Sequence, residues 1–525
     1  MINAINEFNL NVQFIGSSYI DRLEKSAQEF DVVLLTPPFD RGDKLIPFKL
    51  NVEHKAYVKT VQAWIDESVK HLNNDGTILI YSLPRWLPFF AEHLYSLMTF
   101  KYWIAIKNQN SISNEPMVQP YHEGVLLFVK NSKKFNINKV RYPHIFCSQC
   151  GDFLADWGGK KHLRPEFGPV ISDVWDDRAD FIDEEHGLSE VTIDRLLRLT
   201  CKENSKVLIA MYDCKPYEGI KLLEQNFPNN DTHTSQEIKY RYIDRTISIP
   251  SRQKKLEFNK DSIYIGNSSE ILGSWLSNPD ARFDLIFADP PYNLEKDYGN
   301  SDDDLKDQEY ISWCDTWLDL CAQLLKPDGT LYVLNLPKWT FFHATLLCKR
   351  LWLQRWIAWD ALSDPRGKVM PAHYGLLVYT KHPNEFTYNP INPIPKMDQC
   401  FRSKCIRNRP PVVPTEELSD IWYDIHRIKH RRDRDAHPCQ LPLKLLERVV
   451  QISSNPGDII LDPFLGTGTT AIAAKGLGRH YVGIDIDSKY REIALTKLAR
   501  LEGNDASLSI DSAKPSLPTQ LPLFD

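Results

Sequence analysis

The feature that most constrains this chain is a self-match that runs almost its whole length. DVVLLTPPF from Asp31 matches DLIFADPPY from Asp284, DGTILIYSLPRW from Asp75 matches DGTLYVLNLPKW from Asp328, and YWIAI around Trp103 matches RWIAW around Trp356. These three pairs share one offset, 253 residues. YHEGVLLFVK ending at Lys130 then matches AHYGLLVYTK ending at Lys381, and ISDVWDD near Trp175 matches LSDIWYD near Trp422. A repeat this long predicts two copies of one domain, with a boundary between Pro250 and Phe258. Short apolar runs at Asp284–Ala288, Asp458–Leu461 and Tyr481–Ile484 end in turn residues and read as buried parallel strands. The expected class is therefore α/β, with mostly parallel sheets flanked by helices.

Chemistry concentrates in the second copy. Its first strand runs into Asp289-Pro290-Pro291-Tyr292. Ligands of open α/β sheets sit outside the carboxyl ends of strands. The two prolines remove backbone donors and stiffen the turn, so their carbonyls and the Asp289 carboxylate are expected to act as acceptors. An aromatic amine is a poor nucleophile because its lone pair is delocalised into the ring. Acceptors on its two N–H bonds favour a more tetrahedral nitrogen with a usable lone pair. Tyr292 is suited to stack on a base swung out of a duplex. Taken alone, the four residues describe a strand-end turn with a satisfied carboxylate just as well.

A second segment narrows the choice. The strand Asp458–Leu461 leads through Asp462 and Phe464 into Gly466-Thr467-Gly468-Thr469-Thr470, then an Ala-rich helical stretch from Ala471. Glycines there allow backbone to approach a ligand, and a helix amino terminus faces it. The strand Tyr481–Ile484 ends in Asp485, about 20 residues past the glycines, where an acid takes ribose hydroxyls in dinucleotide sites.

Together the two segments resemble the S-adenosylmethionine-dependent amino-methyltransferases of DNA, in the subgroup whose catalytic motif precedes its cofactor motif. The resemblance implies two tandem Rossmann-like methyltransferase domains. Asp289, Pro290, Pro291 and Tyr292 would be catalytic. Asp462, Phe464, Gly466, Gly468, Thr469 and Asp485 would hold the cofactor. HPCQLP resembles the family's His-Pro-x-Gln-x-Pro element, which assigns His437, Pro438, Gln440 and Pro442 to the cofactor's methionine end. Asn267 stands where the family usually has an Asp near the cofactor adenine. The implied activity is methylation of the 6-amino group of adenine in double-stranded DNA. Cytosine's 4-amino group, an RNA substrate, and a non-catalytic DNA- or clamp-binding adaptor are the alternatives.

The copies are chemically unequal. Thr36 replaces Asp289, Ala210 replaces Asp462, and Cys214 and Pro216 replace Gly466 and Gly468. A proline where backbone must touch a cofactor is hard to accommodate. The first copy, residues 1–250, is thus expected to be degenerate and the second, 251–502, catalytic. Thr36-Pro-Pro-Phe39 does resemble the form found in enzymes acting on cytosine's amino group. Family members of this subgroup are often homodimers. The fused copies imply a monomer with an internal pseudo-dimer, similar to heterodimeric adenine methyltransferases with one degenerate partner.

Net charge is −6, so attraction to DNA must be local. The candidate is Arg427, Lys429, Arg431, Arg432 and Arg434, at the end of a target-recognition region implied at about 361–434. A solvated charged loop is the plain alternative. With 42% hydrophobic and 25% charged residues, the composition is that of a globular chain. Its ten cysteines point to a reducing, cytoplasmic setting. Cys147 and Cys150 have zinc-like spacing, but a zinc site needs four ligands. Cys201 and Cys214 are distant, and Cys400 and Cys405 are no better placed, so no metal is expected. The tail, 503–525, is rich in Ser, Pro, Gly and Asp and ends in Gln520-Leu521-Pro522-Leu523-Phe524-Asp525. This resembles the peptide by which bacterial proteins bind the replication sliding clamp. Packing of Leu521, Leu523 and Phe524 onto the protein itself is the alternative.

Overall fold

The computed structural model describes residues 3–15, 23, 28–107, 118–142, 144, 146–147, 150–152, 166–175, 188–211, 256–294, 304–361, 367–395, 405, 415–428 and 440–503. The first sheet holds β1 (Asn11–Ile15), β2 (Phe30–Thr36), β3 (Leu72–Ser82), β4 (Thr99–Lys107), β5 (His122–Val129), β6 (Val174–Trp175) and β7 (Lys206–Met211). Read from one edge, its order is β6-β4-β5-β3-β2-β7-β1. The second sheet holds β8 (Ser262–Ile265), β9 (Phe283–Ala288), β10 (Leu325–Asn335), β11 (Trp352–Asp360), β12 (His373–Thr380), β15 (Ile421–Trp422), β16 (Ile459–Asp462) and β17 (His480–Asp485). Its order is β15-β11-β12-β10-β9-β16-β17-β8. The two orders coincide strand for strand, with β17 added between β16 and β8. A ribbon of β13 (Ile394–Pro395) and β14 (Thr415–Glu416) stands apart.

In both sheets only β5 and β12 run antiparallel to their neighbours. All other pairs are parallel. Strands covered on both faces read as unbroken apolar runs. That explains why Phe283–Ala288 is buried at every position. The helix Leu443–Ser453 instead buries Leu445, Leu446, Val449, Val450 and Ile452 at helical spacing.

The two halves meet through reciprocal contacts. Trp103 stacks on Trp356 at 4.0 Å between ring centroids, with a 20° interplanar angle. Asp173 accepts from the Ala372 and His373 N–H groups at 2.7 and 2.9 Å. Asp420 accepts from those of Tyr121 and His122, each at 2.8 Å. His122 Nδ1 lies 3.0 Å from the Trp356 carbonyl and His373 Nδ1 3.2 Å from that of Trp103. Each residue's partner mirrors it, as in a two-fold interface. One apolar core runs through both halves, from Val33 and Phe90 to Phe342, Trp356 and Leu461. No helix among the described residues is long and apolar enough to cross a membrane.

Candidate active site

β9 and β16 lie side by side, with Leu285 opposite Ile460 and Ile286 opposite Leu461. β17 continues the parallel set. All three therefore release their chains at one edge of the sheet. The cavity there has a volume of about 250 Å³. Its wall takes Asp289, Pro290, Pro291 and Tyr292 from the β9 end, Asp462, Phe464, Gly466 and Thr469 from the β16 end, and Asp485 from β17. Asn267 and Gln440 complete the set of expected residues on this wall.

The β9 loop is held by side chains from outside it. Tyr310, on the helix Asp307–Leu324, donates its hydroxyl to the Pro291 carbonyl at 2.5 Å. Asn335 Nδ2 donates to the Tyr310 oxygen at 3.0 Å. Trp339 Nε1 donates to the Tyr292 carbonyl at 2.8 Å. Asn293 adopts φ 54°, a left-handed conformation that Asn tolerates. The Pro291 carbonyl, expected as an acceptor, accepts from Tyr310 and thereby fixes the loop. Tyr292 is 4% exposed, and its hydroxyl donates to Asp289 Oδ1 at 2.5 Å. Its ring lies 5.9 Å from that of Tyr374.

The β16 loop is organised by two acids. Asp462 accepts from the Phe464 N–H at 2.9 Å and the Thr470 hydroxyl at 2.5 Å. Burial pushes this carboxyl up to about 7, with Asp485 adding to the rise while the Thr470 and Phe464 donors oppose it. Asp485 accepts from the Gly466 and Asp487 N–H groups, each at 2.8 Å. Burial, with some help from Asp487, also holds it above the usual carboxylate range. The Phe464 ring packs edge-on against Trp317 at 5.0 Å.

Two residues reach the site by another route than expected. Asn267 caps the helix Ser268–Trp275, accepting from the Ser269 and Glu270 N–H groups at 2.9 and 3.4 Å. Gly468 is off the cavity wall. Its φ is +88°, and a Cβ there would meet Ala494 Cβ at 2.6 Å. It is a glycine so that the helix Ser488–Gly503 can pack, and it also opens the helix Thr469–Gly476, which starts two residues before the expected Ala471. Gly466, at φ +53°, is the glycine that faces the cavity.

The matching edge of the first sheet is built differently. Thr36 is buried and donates its hydroxyl to the Ala210 carbonyl at 3.1 Å. Asp31 Oδ2 accepts from the Lys206 N–H as Asp284 Oδ2 accepts from that of Ile459, both at 2.8 Å. This register places Ile209, not Ala210, at the position of Asp462, so the expected pairing is off by one residue. Glu123 holds the ladder position that Tyr374 holds in the second sheet. It makes a buried ion pair with Lys44 and accepts from the Tyr81 hydroxyl.

A family model described as DNA methylase matches residues 30–237 and 283–496. The chain belongs to the DNA methylase family. Type II methyltransferase M.HpaI of Haemophilus parainfluenzae is 37% identical over 244 residues, 45% of this chain and 74% of that protein. DNA adenine methyltransferase YhdJ of Escherichia coli K12 is 32% identical over 231 residues, 42% of this chain and 77% of that protein. Among solved structures, the crystal structure of the M1.HpyAVI–SAM complex is 23% identical, with a TM-score of 0.33, covering 45% of this chain and 98% of that one.

In this DNA methylase the cavity also takes residues that sequence reasoning passed over: Leu305, Tyr310, Trp313, Ile486 and Tyr490. Tyr310, Trp313 and Trp317 recur at helical spacing, a pattern that by itself reads as core. Arg427 is half-buried, and its N–H donates to the Ala361 carbonyl at 3.3 Å. Lys429, Arg431, Arg432, Arg434, His437 and Pro438 lie outside the described residues, as do Cys214, Pro216, Gln520, Leu521, Leu523 and Phe524.

Proposed function

We propose that this DNA methylase transfers a methyl group from S-adenosylmethionine to the 6-amino group of adenine in a defined sequence of double-stranded DNA, through its second half alone. One observation carries the reading. The ends of β9 and β17 bring Asp289 and Asp485 to one cavity wall, so a base amine and a methyl donor can share it. S-Adenosylmethionine supplies an electrophilic methyl group on a sulfonium. The wall fits it: Asp485 offers acceptors to ribose hydroxyls, Phe464 and Ile486 an apolar surface, and Gly466 a backbone without a side chain. Gln440 and Thr469 stand ready for its polar methionine end.

The protein's own part is positioning, which can supply much of the acceleration. The amine takes over the Asp289 oxygen that the Tyr292 hydroxyl now holds. Tyr292, on the cavity wall, offers its ring to an extruded base. Adenine is favoured over cytosine by Asp289 itself, and the relative YhdJ is named an adenine methyltransferase. Thr36, the residue that suggests cytosine chemistry, spends its hydroxyl on Ala210. We read the first half as a degenerate copy that acts as a built-in partner in a monomer, and the setting as the cytoplasm.

Calorimetric titration of the chain with S-adenosylmethionine tests this. One site per chain, lost in Gly466→Val, is expected. Two equivalent sites would overturn the division of labour. The tail reading is tested separately by pull-down of purified sliding clamp. The intact chain should recover it and a Leu523→Ala, Phe524→Ala variant should not. Equal recovery would sink the assignment.

A further inference from the structure

Three cysteines outside the active site meet where the two halves join. Cys147 and Cys150 belong to the first half, and Cys405 lies between β13 and β14 in the second. Their sulfurs lie within 4.8 Å of one another. Cys147 and Cys405 are buried, at 6% and 1% exposure, and Cys150 is half-buried.

The spacing distinguishes the chemistry. Cys147 Sγ and Cys405 Sγ are 3.7 Å apart, far beyond the roughly 2.05 Å of a disulfide. Two thiolates on a tetrahedral zinc, each bonded at about 2.3 Å, stand about 3.8 Å apart. The turn between the first two cysteines suits a shared ion. The Cys147 N–H donates to the Asp152 carbonyl at 2.7 Å, and the Gly151 N–H to the Cys147 carbonyl at 2.8 Å. Gly151 takes φ +68° with open space where a Cβ would stand. Buried cysteines often serve as small apolar fillers. Among the described residues, however, this apolar cluster contains the three cysteines and nothing else.

We propose that Cys147, Cys150 and Cys405 hold one zinc ion as thiolates and clasp the first half to the β13–β14 segment of the second. Each thiol that ligates gives up its proton, so binding tightens as pH rises. A tetrahedral site takes a fourth ligand, from a side chain or water. None of the three cysteines lines the catalytic cavity, so the role is structural. The proposal stands independently of the methyl-transfer reading.

Elemental analysis of the purified full-length chain tests it. About one zinc per chain is expected. Cys147→Ser and Cys405→Ser should each cut that content tenfold or more, while Cys201→Ser, a buried thiol elsewhere in the first half, should leave it unchanged. Should the serine variants fail to fold, cobalt exchange into the wild-type chain gives a readout without them: sulfur-to-cobalt charge-transfer bands with tetrahedral d–d bands. Less than a tenth of a zinc per chain after dialysis against zinc sulfate would overturn the proposal. So would a Cys147–Cys405 disulfide in peptide maps of chain isolated anaerobically.

Discussion

Asp462 ties the cofactor loop to pH. Its carboxyl is pushed by burial to about 7, above an ordinary value of 3.8. The folded chain therefore keeps a proton that the unfolded chain gives up. The stability from this group is full below about pH 4 and is lost as pH rises toward about 7. Asn at this position cannot titrate. The melting temperature of Asp462→Asn, measured relative to wild type, should thus shift in the variant's favour between pH 5 and pH 8. A gap that does not change with pH would refute the burial argument. In the proposed reaction Asp289 is a substrate contact. Asp289→Ala should lower turnover on the order of a hundredfold or more and leave S-adenosylmethionine affinity within about twofold. Thr36→Ala removes a bond to Ala210 and should change turnover little. Steady-state kinetics on short DNA tests the roles assigned to Asp289 and Thr36. At this scale the sequence was most legible: Asp289, Asp462 and Asp485 were each expected at a strand's end and each reaches the cavity wall. Asn267 was legible as to place and not as to role, because a helix cap and a ligand contact call for the same residue type.

Elements explain why some motif residues matter for reasons other than a ligand. Gly468→Ala forces a side chain onto φ +88° and to within 2.6 Å of Ala494 Cβ. It should cost about 1–3 kcal/mol in denaturant unfolding. Gly476→Ala, in the same helix with open space around it, should be neutral or stabilise by up to about 1 kcal/mol. Equal destabilisation by both would show that neither packing on Ala494 nor the positive φ of Gly468 sets the cost. Strands were legible to within about a residue, because parallel strands covered on both faces are short apolar runs. The offset at β7 was not. Sequence matching paired Ala210 with Asp462, while the bonds from Asp31 and Asp284 show Ile209 in that place. A one-residue slip reverses which face a strand side chain takes, and only the ladder reveals it. Tyr310 and Trp313 escaped notice because an aromatic stripe on a helix looks the same whether it faces a core or a cavity.

At the scale of the whole molecule, the contacts between the halves predict one cooperative body. Apolar clusters span both halves, and Asp173 and Asp420 each satisfy two N–H groups across the junction. Calorimetry should therefore show one unfolding transition, and two separated transitions would contradict this. Asp173→Ala leaves the Ala372 and His373 N–H groups buried without that acceptor and should cost about 1–3 kcal/mol. The repeat in the sequence led to an expectation of two copies, and two sheets of matching strand order are present. It did not foretell the stacked Trp103 and Trp356 or the meeting of Cys147, Cys150 and Cys405, since both join segments far apart in the chain. The central claim is that the second half methylates the amino group of adenine. The most direct measurement is mass spectrometry of nucleosides from DNA incubated with the purified chain and S-adenosylmethionine. N6-methyladenine is the expected product, absent with Asp289→Ala. N4-methylcytosine from the wild-type chain, or N6-methyladenine persisting at wild-type yield in Asp289→Ala, would contradict the account.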